Sequence, residues 1–176
     1  MIPDVTPVRA FLEDRHVARA ASAGAFAARD LAPRPEPRDD AAARIEARTL
    51  LAILGSAGSF DPIRDQDGRG ACLVREALGA ASPLADAVFA LQGLGTLPIL
   101  LSENTPMRER WVEDAIGGRA MAAFAMTEPE AGSDVASLRT TARRDGDSYR
   151  LNGTKTLISN AGIADFYTVF ASTDPE

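Results

Sequence analysis

The hydrophobic pattern of this chain changes its period once, at Gly117-Gly118, and that change limits the fold more than any other feature. Before it, apolar residues recur at spacings of three and four, alanine is abundant and strand formers are sparse. That is a helical pattern. After it come short apolar or alternating runs, broken by Asp-Gly and Asn-Gly dipeptides, which is a strand pattern. Helices followed by strands predict an α+β chain with a boundary near Arg119 or Ala120. A length of 176 residues suits one ordinary domain or two small ones.

Caps and breakers divide the helical part. One helix is expected from about Pro7 to Leu31, stopping before Pro33-Arg34-Pro35-Glu36-Pro37, which cannot continue it. Asp39 or Asp40 caps a second, carrying Ile45, Leu50, Leu51 and Leu54 and ending at Gly55. Gly55 to Gly70 reads as a loop, followed by a third helix from near Arg69 to Gly79. Ser82-Pro83 opens a fourth, a cap with proline at the first helical position, and Thr105-Pro106 repeats that device for a fifth. The fifth places Met107, Trp111 and Ala115 on one face, with Trp111 as a core anchor, and closes at Gly117-Gly118. Leu84 to Leu101 is apolar enough to be weighed as a membrane span. Gly95 and Pro98 divide it into pieces too short to cross, so a buried helix pair and no membrane span are expected.

In the second part, Met121 to Met126 reads as a buried strand and Leu138 to Arg144 as another. Asp145-Gly146-Asp147 is a turn, and Asn152-Gly153 is expected to join the strand around Tyr149 and Leu151 to a return strand over Thr154 to Ser159. Phe166 to Ser172 is apolar on both faces, which suggests an interior strand.

The run Ala125-Met126-Thr127-Glu128-Pro129-Glu130-Ala131-Gly132-Ser133-Asp134 follows the first of these strands and has no apolar period. It gathers backbone N–H groups and hydroxyls at close range, which suits a phosphate or a polar cofactor edge, and equally an ordinary turn. Glu128 and Glu130 read as solvated or ion-paired rather than catalytic. A net charge of -6 and no basic tract longer than Arg143-Arg144 argue against nucleic-acid binding. Cys72 is the only cysteine and sits among Ala71, Leu73 and Val74, so it reads as a small buried hydrophobe. It permits no internal disulfide or multi-cysteine metal site, and no metal is expected. His16 is the only histidine, and a histidine-based triad gains little support from it. Met1-Ile2-Pro3-Asp4 does not resemble a secretory leader, so the cytoplasm is the expected compartment.

The string TEPEAGSD, preceded by AFAM and followed by VASLRTTA, resembles the flavin-binding signature of the acyl-CoA dehydrogenases. TPMRERWVEDAIGG resembles the last helix of that family's N-terminal domain, and YRLNGTKTLISNAGIADFYTVFASTDP resembles its middle domain. The resemblance is weak from about residue 4 and strong from Thr105 onward. It implies an all-helical N-terminal domain over 1–119 and the start of an antiparallel, barrel-like middle domain over 120–176. It implies FAD as cofactor and α,β-desaturation of an acyl-CoA thioester as the reaction. Residues Phe124 to Ser133, Ala125 among them, would line the flavin, with Met126 packing on the ring and Thr127 bonding its edge. Gly132 and Ser133 would lie at the phosphates, with Ser133 also reaching the CoA. Leu157, Ile158 and Ser159 would form the second flavin segment, Ser159 near N5. Many relatives have Trp or Phe where this chain has Leu157.

In the family, a glutamate in a C-terminal helical domain removes the α-proton. No Glu of this chain matches it, so no catalytic residue is assigned, and the chain is expected to be an N-terminal portion that is inactive alone. The resemblance further implies an electron-transfer flavoprotein as acceptor and a homodimer or homotetramer. Phe89, Leu91, Gln92 and Leu94 are candidates for the wall of the acyl pocket. A flavin monooxygenase or oxidase on the same scaffold, and a non-catalytic acyl-CoA-binding module, are the alternatives.

Overall fold

In the computed structural model, residues 3–174 are described; the ends at Met1-Ile2 and Pro175-Glu176, on which the readings of the leader and the terminus bear, lie outside them. Six α-helices precede four strands among the described residues: α1 (Asp14–Phe26), α2 (Asp40–Ser56), α3 (Asp61–Arg64), α4 (Gly68–Ala81), α5 (Pro83–Leu101), α6 (Thr105–Ile116), β1 (Ala122–Ala125), β2 (Thr141–Asp145), β3 (Ser148–Asn152) and β4 (Phe166–Val169). The fold is α+β, as the change of period predicts.

The caps explain most helix starts. Asp39 accepts from the Ala42 N–H at 2.8 Å and Ser82 from the Ala85 N–H at 3.3 Å. The start of α6 differs from expectation by one residue: Asn104, not Thr105, is the cap, and its side chain accepts from the Met107 N–H. The long first helix is also corrected. A 3-10 segment (Thr6–Phe11) precedes α1, and Ala27–Leu31 forms a π turn after it. The start of α1 is set by His16, which is buried with both ring nitrogens engaged. Nδ1 accepts from the Glu13 N–H at 3.0 Å and Nε2 lies 3.1 Å from Asp67, the cap of α4. This histidine joins two helix N-termini and faces no solvent. The expected loop from Gly55 to Gly70 contains α3, whose Ile63 is buried.

Helix α5 is continuous, which overturns the expected helix pair. Pro98 sits within it without ending it. By length and composition α5 could cross a membrane. In this fold it is the central helix, packed against α2, α4, α6, β1 and β4. Leu50, Leu51, Leu54, Phe60, Leu78 and Phe89 form the core around it, with Phe60 and Phe89 stacked at 5.7 Å. Ile45, by contrast, is exposed, because it lies on the opposite face of α2 from Leu50, Leu51 and Leu54. Cys72 is exposed rather than buried, since the core face of α4 is taken by Leu73, Val74, Ala77 and Leu78.

The strand pairing is mixed, not wholly antiparallel. β2 and β3 form an antiparallel hairpin from Thr141↔Asn152 to Asp145↔Ser148, so the turn is at Gly146-Asp147. β1 and β4 are parallel, from Ala122↔Phe166 to Ala125↔Val169. The chain beyond β4 then crosses to β2, where the Ala142 N–H donates to Ser172 O at 2.8 Å. Asn152-Gly153 is therefore not a hairpin turn, and Thr154 to Ser159 is not a strand. Gly153 is needed for a different reason: a Cβ there would come within 3.0 Å of the Thr140 backbone. β4 is not interior either. Phe166 is buried against Trp111, with ring centres 5.0 Å apart, while Tyr167 and Val169 are exposed.

Candidate functional site

β1 is built to lie flat on α5. Ala122, Ala123 and Ala125 are buried, and their small side chains allow the close approach. Gln92 of α5 fixes the strand's start. Its Nε2 donates to Ala115 O (2.9 Å) and Ala120 O (2.7 Å), and its Oε1 accepts from the Ala122 N–H (3.0 Å). Asp165 takes the preceding amide, accepting from the Met121 N–H at 2.7 Å while paired with Arg48 at 2.7 Å. Burial pushes the Asp165 carboxyl upward, but the Arg48 guanidinium and the Met121 N–H outweigh it and hold it below the usual range.

The segment 155–160 is fastened alongside the end of β1. The Thr156 N–H donates to Thr127 O at 3.0 Å, and Asn160 Nδ2 donates to Ala122 O at 2.8 Å. These two bonds bracket Leu157, Ile158 and Ser159 and lay them beside Phe124 to Thr127. The two segments singled out in the sequence, about thirty residues apart, are thus neighbours. Between them stands a buried ion pair. Lys155 Nζ donates to Glu128 Oε1 at 2.7 Å and to Met126 O at 2.9 Å, with side chains only 12% and 4% exposed. Glu128 also accepts from the N–H groups of Arg139 (2.7 Å) and Thr140 (2.9 Å). Of the two readings given to Glu128, solvated or ion-paired, the second is right; Glu130 is exposed. Lys155 is the single lysine of the chain.

The expected site residues present different groups. Ala125 is buried with its O accepting from the Phe170 N–H at 3.0 Å, and Phe124 packs on Phe170 at 5.1 Å. Met126 and Thr127 are half-buried, while Gly132, Ser133 and Ser159 are exposed. Glu128 and Ala131 exchange backbone bonds at 3.0 and 3.2 Å, which makes Pro129-Glu130 the corner and leaves Gly132-Ser133 beyond it. Among the described residues, no protein acceptor takes the N–H of Met126 or Thr127, and no hydrogen bond uses the hydroxyl of Thr127, Ser133 or Ser159. Leu157 has φ 57 and is 86% exposed. A left-handed backbone at a leucine costs on the order of 1 kcal/mol, so its neighbours hold it there. The four pocket-wall candidates do not act together. Phe89 and Leu94 border an open cavity of about 400 Å³ with Ile63, Gly93 and Leu97, whereas Gln92 is committed to the backbone bonds above.

Sequence reasoning missed Lys155, Asn160 and the role of Gln92. The available signal for Lys155 was its uniqueness in a chain whose other cations are all arginine.

The Glu128 carboxyl is held at about 2, against an ordinary 4.5, first by the Lys155 ammonium and then by donors at Thr140 and Arg139. A depressed carboxyl stabilises the fold fully above the unfolded value and loses that effect as pH falls through the folded one. The stability advantage of wild type over Glu128→Gln is therefore expected to be constant above about pH 4.5 and to shrink toward pH 2, measured by urea unfolding at a series of pH values.

Helical platform, laid-on strand and paired loops match a defined group of flavoenzymes. The family model for the middle domain of acyl-CoA dehydrogenases matches residues 123–176. A probable acyl-CoA dehydrogenase, fadE25 of Mycobacterium leprae, is 34% identical over 173 residues, covering 94% of this chain and 44% of that protein. A glutaryl-CoA dehydrogenase from Mycobacterium smegmatis, solved in complex with FADH2, superposes with a TM-score of 0.79 at 28% identity, over 93% of this chain and 44% of that one. A chain from a structure of the electron transferring flavoprotein of Acidaminococcus fermentans superposes with a TM-score of 0.79 at 31% identity, over 93% and 44%. Nearly the whole of this chain is thus similar to acyl-CoA dehydrogenases, and it spans somewhat less than half the length of these relatives.

Proposed function

We propose that this chain supplies one wall of the FAD and acyl-CoA site of an acyl-CoA dehydrogenase acting by α,β-desaturation. The observation that carries the reading is the bracketing of Leu157 to Ser159 beside Met126-Thr127, with the N–H groups of Met126 and Thr127 and the hydroxyls of Thr127 and Ser159 left without protein partners among the described residues. This donor set fits the electron-rich edge and phosphates of a flavin dinucleotide. FAD, when bound, would supply the two-electron acceptor. Thr127 and Ser159 would bond its ring edge. Phe124, Ala125, Met126, Leu157 and Ile158 would form the ring's apolar and backbone lining, and Gly132 and Ser133 would meet its phosphates. Ser133 would also touch the CoA moiety.

The proposed division is a helical domain over 1–119 and the flavin-binding region over 120–176. The proton-abstracting carboxylate belongs, on this reading, to the part of the relatives that this chain does not span. The acceptor would be an electron-transfer flavoprotein, the assembly a homo-oligomer, and the compartment the cytoplasm, which suits a chain with one unpaired cysteine. Removing the α-proton and the β-hydrogen of the substrate in one site needs both walls. The 176-residue chain alone is therefore expected to bind FAD weakly and to show no bleaching of flavin by acyl-CoA. Flavin absorbance after desalting, measured on this chain and on the product of the whole coding sequence, tests this. Absence of flavin from both overturns the reading.

A further inference from the structure

We propose that Lys155 is a positioning residue that sets the donor strength of the Thr127 N–H by polarising the Met126–Thr127 peptide. The inference rests on the flavin reading for its functional meaning, but its physical content lies in the protein alone. Lys155 Nζ sits 2.9 Å from Met126 O. No peptide bond among the described residues is cis, so in this planar trans unit the Thr127 N–H points away from Met126 O and from the ammonium. That N–H has no protein acceptor among the described residues. A cation on the oxygen of a peptide withdraws electron density from its nitrogen and strengthens the N–H as a donor.

Three features make this more than a surface contact. The side chain is only 12% exposed, so the charge acts in a low dielectric rather than through water. The counter-charge of Glu128 is shared with the Arg139 N–H on Oε2 and the Thr140 N–H on Oε1, while the ammonium is in direct hydrogen-bond contact with Met126 O. And lysine stands here alone in a chain that uses arginine at every other cationic position. A compact ammonium can reach a carbonyl and a carboxylate at once; a planar guanidinium is shaped for bidentate pairing. A donor strengthened in advance favours whichever ligand state carries more negative charge at that point. For a flavin edge, that is the reduced state.

The test has a ligand-free arm and a loaded arm. In the ligand-free chain, Met126 carbonyl ¹³C and Thr127 amide ¹H and ¹⁵N shifts are compared among wild type, Lys155→Arg, and the double variant Lys155→Gln with Glu128→Gln. The double variant keeps polar donors and leaves no buried charge unpaired. The expected result is a change at Met126 and Thr127 in the double variant, at most partly avoided in Lys155→Arg, with the shifts of α1 to α6 unchanged. In the flavin-loaded full-length protein, the double variant is expected to lose about tenfold in its preference for reduced over oxidised FAD, about 30 mV for a two-electron couple. Native shifts at Met126 and Thr127 in the double variant overturn the proposal. So does an unchanged potential in a loaded protein. A protein that takes up no FAD overturns the cofactor reading instead, and the ligand-free arm still decides whether the peptide is polarised.

Discussion

Gln92→Met is expected to destabilise the chain by about 4 kcal/mol, from two or more buried backbone groups left unpaired at roughly 1–3 kcal/mol each. Gln92 is 1% exposed, and its amide is the partner of Ala120 O and the Ala122 N–H, both in buried residues. Ala115 O would retain the Gly118 N–H at 3.2 Å, so the loss is not the full three bonds. Methionine fills nearly the same volume, which limits any cavity contribution. Such a loss is a large fraction of the stability of an ordinary domain, typically about 5–15 kcal/mol. Urea unfolding should show a lower midpoint with an unchanged slope. A midpoint shift equivalent to less than about 1 kcal/mol would show that the strand is seated by its alanines rather than by the amide.

Gly118→Ala is expected to cost about 3 kcal/mol or more, by overpacking and by backbone strain together. Gly118 has φ 70, and a Cβ there would come within about 3.0 Å of the Gly55 Cα and overlap Leu51 O. Gly55 faces the same crossing, where its own added Cβ would meet the Gly117 and Gly118 backbone. The end of α2 and the Gly117-Gly118 turn therefore approach backbone to backbone, where α6 hands over to β1. Neither neighbour is a flexible side chain that could move aside. Gly146→Ala is the comparison: it also has positive φ, but nothing lies within 4 Å of an added Cβ. Thermal unfolding of both variants separates strain from clash. Equal losses would mean that the crossing yields and only the backbone angle matters.

The helices were legible because their ends carry local chemistry. Asp39 and Ser82 cap within three residues of their partners, so sequence alone can find them. Errors came where distant residues decide. Asn152-Gly153 has the composition of a hairpin turn, but Asp145-Gly146-Asp147 competes for the same strand and wins. Gly153 answers instead to Thr140, a contact no local window contains. Pro98 looked like a break in α5, yet the helix, packed on α2, α4, α6, β1 and β4, continues through it. β4 looked interior from its apolar run, and its pairing with β1 exposes Tyr167 and Val169. At the site, the two flavin segments could be read as strings. What holds them together could not: the bond from Asn160 to Ala122 spans 38 residues and that from Lys155 to Met126 spans 29.

The placement of Lys155 also has a consequence for cellular chemistry. Acetylation, ubiquitin transfer and other ε-amine modifications need a lysine that an enzyme can reach. Every other cationic side chain here ends in a guanidinium, and the one ε-amine is packed between a carboxylate and a carbonyl. While folded, this stretch is closed to lysine-directed modification. The opening that would admit it first breaks the bonds joining the two halves of the proposed flavin wall.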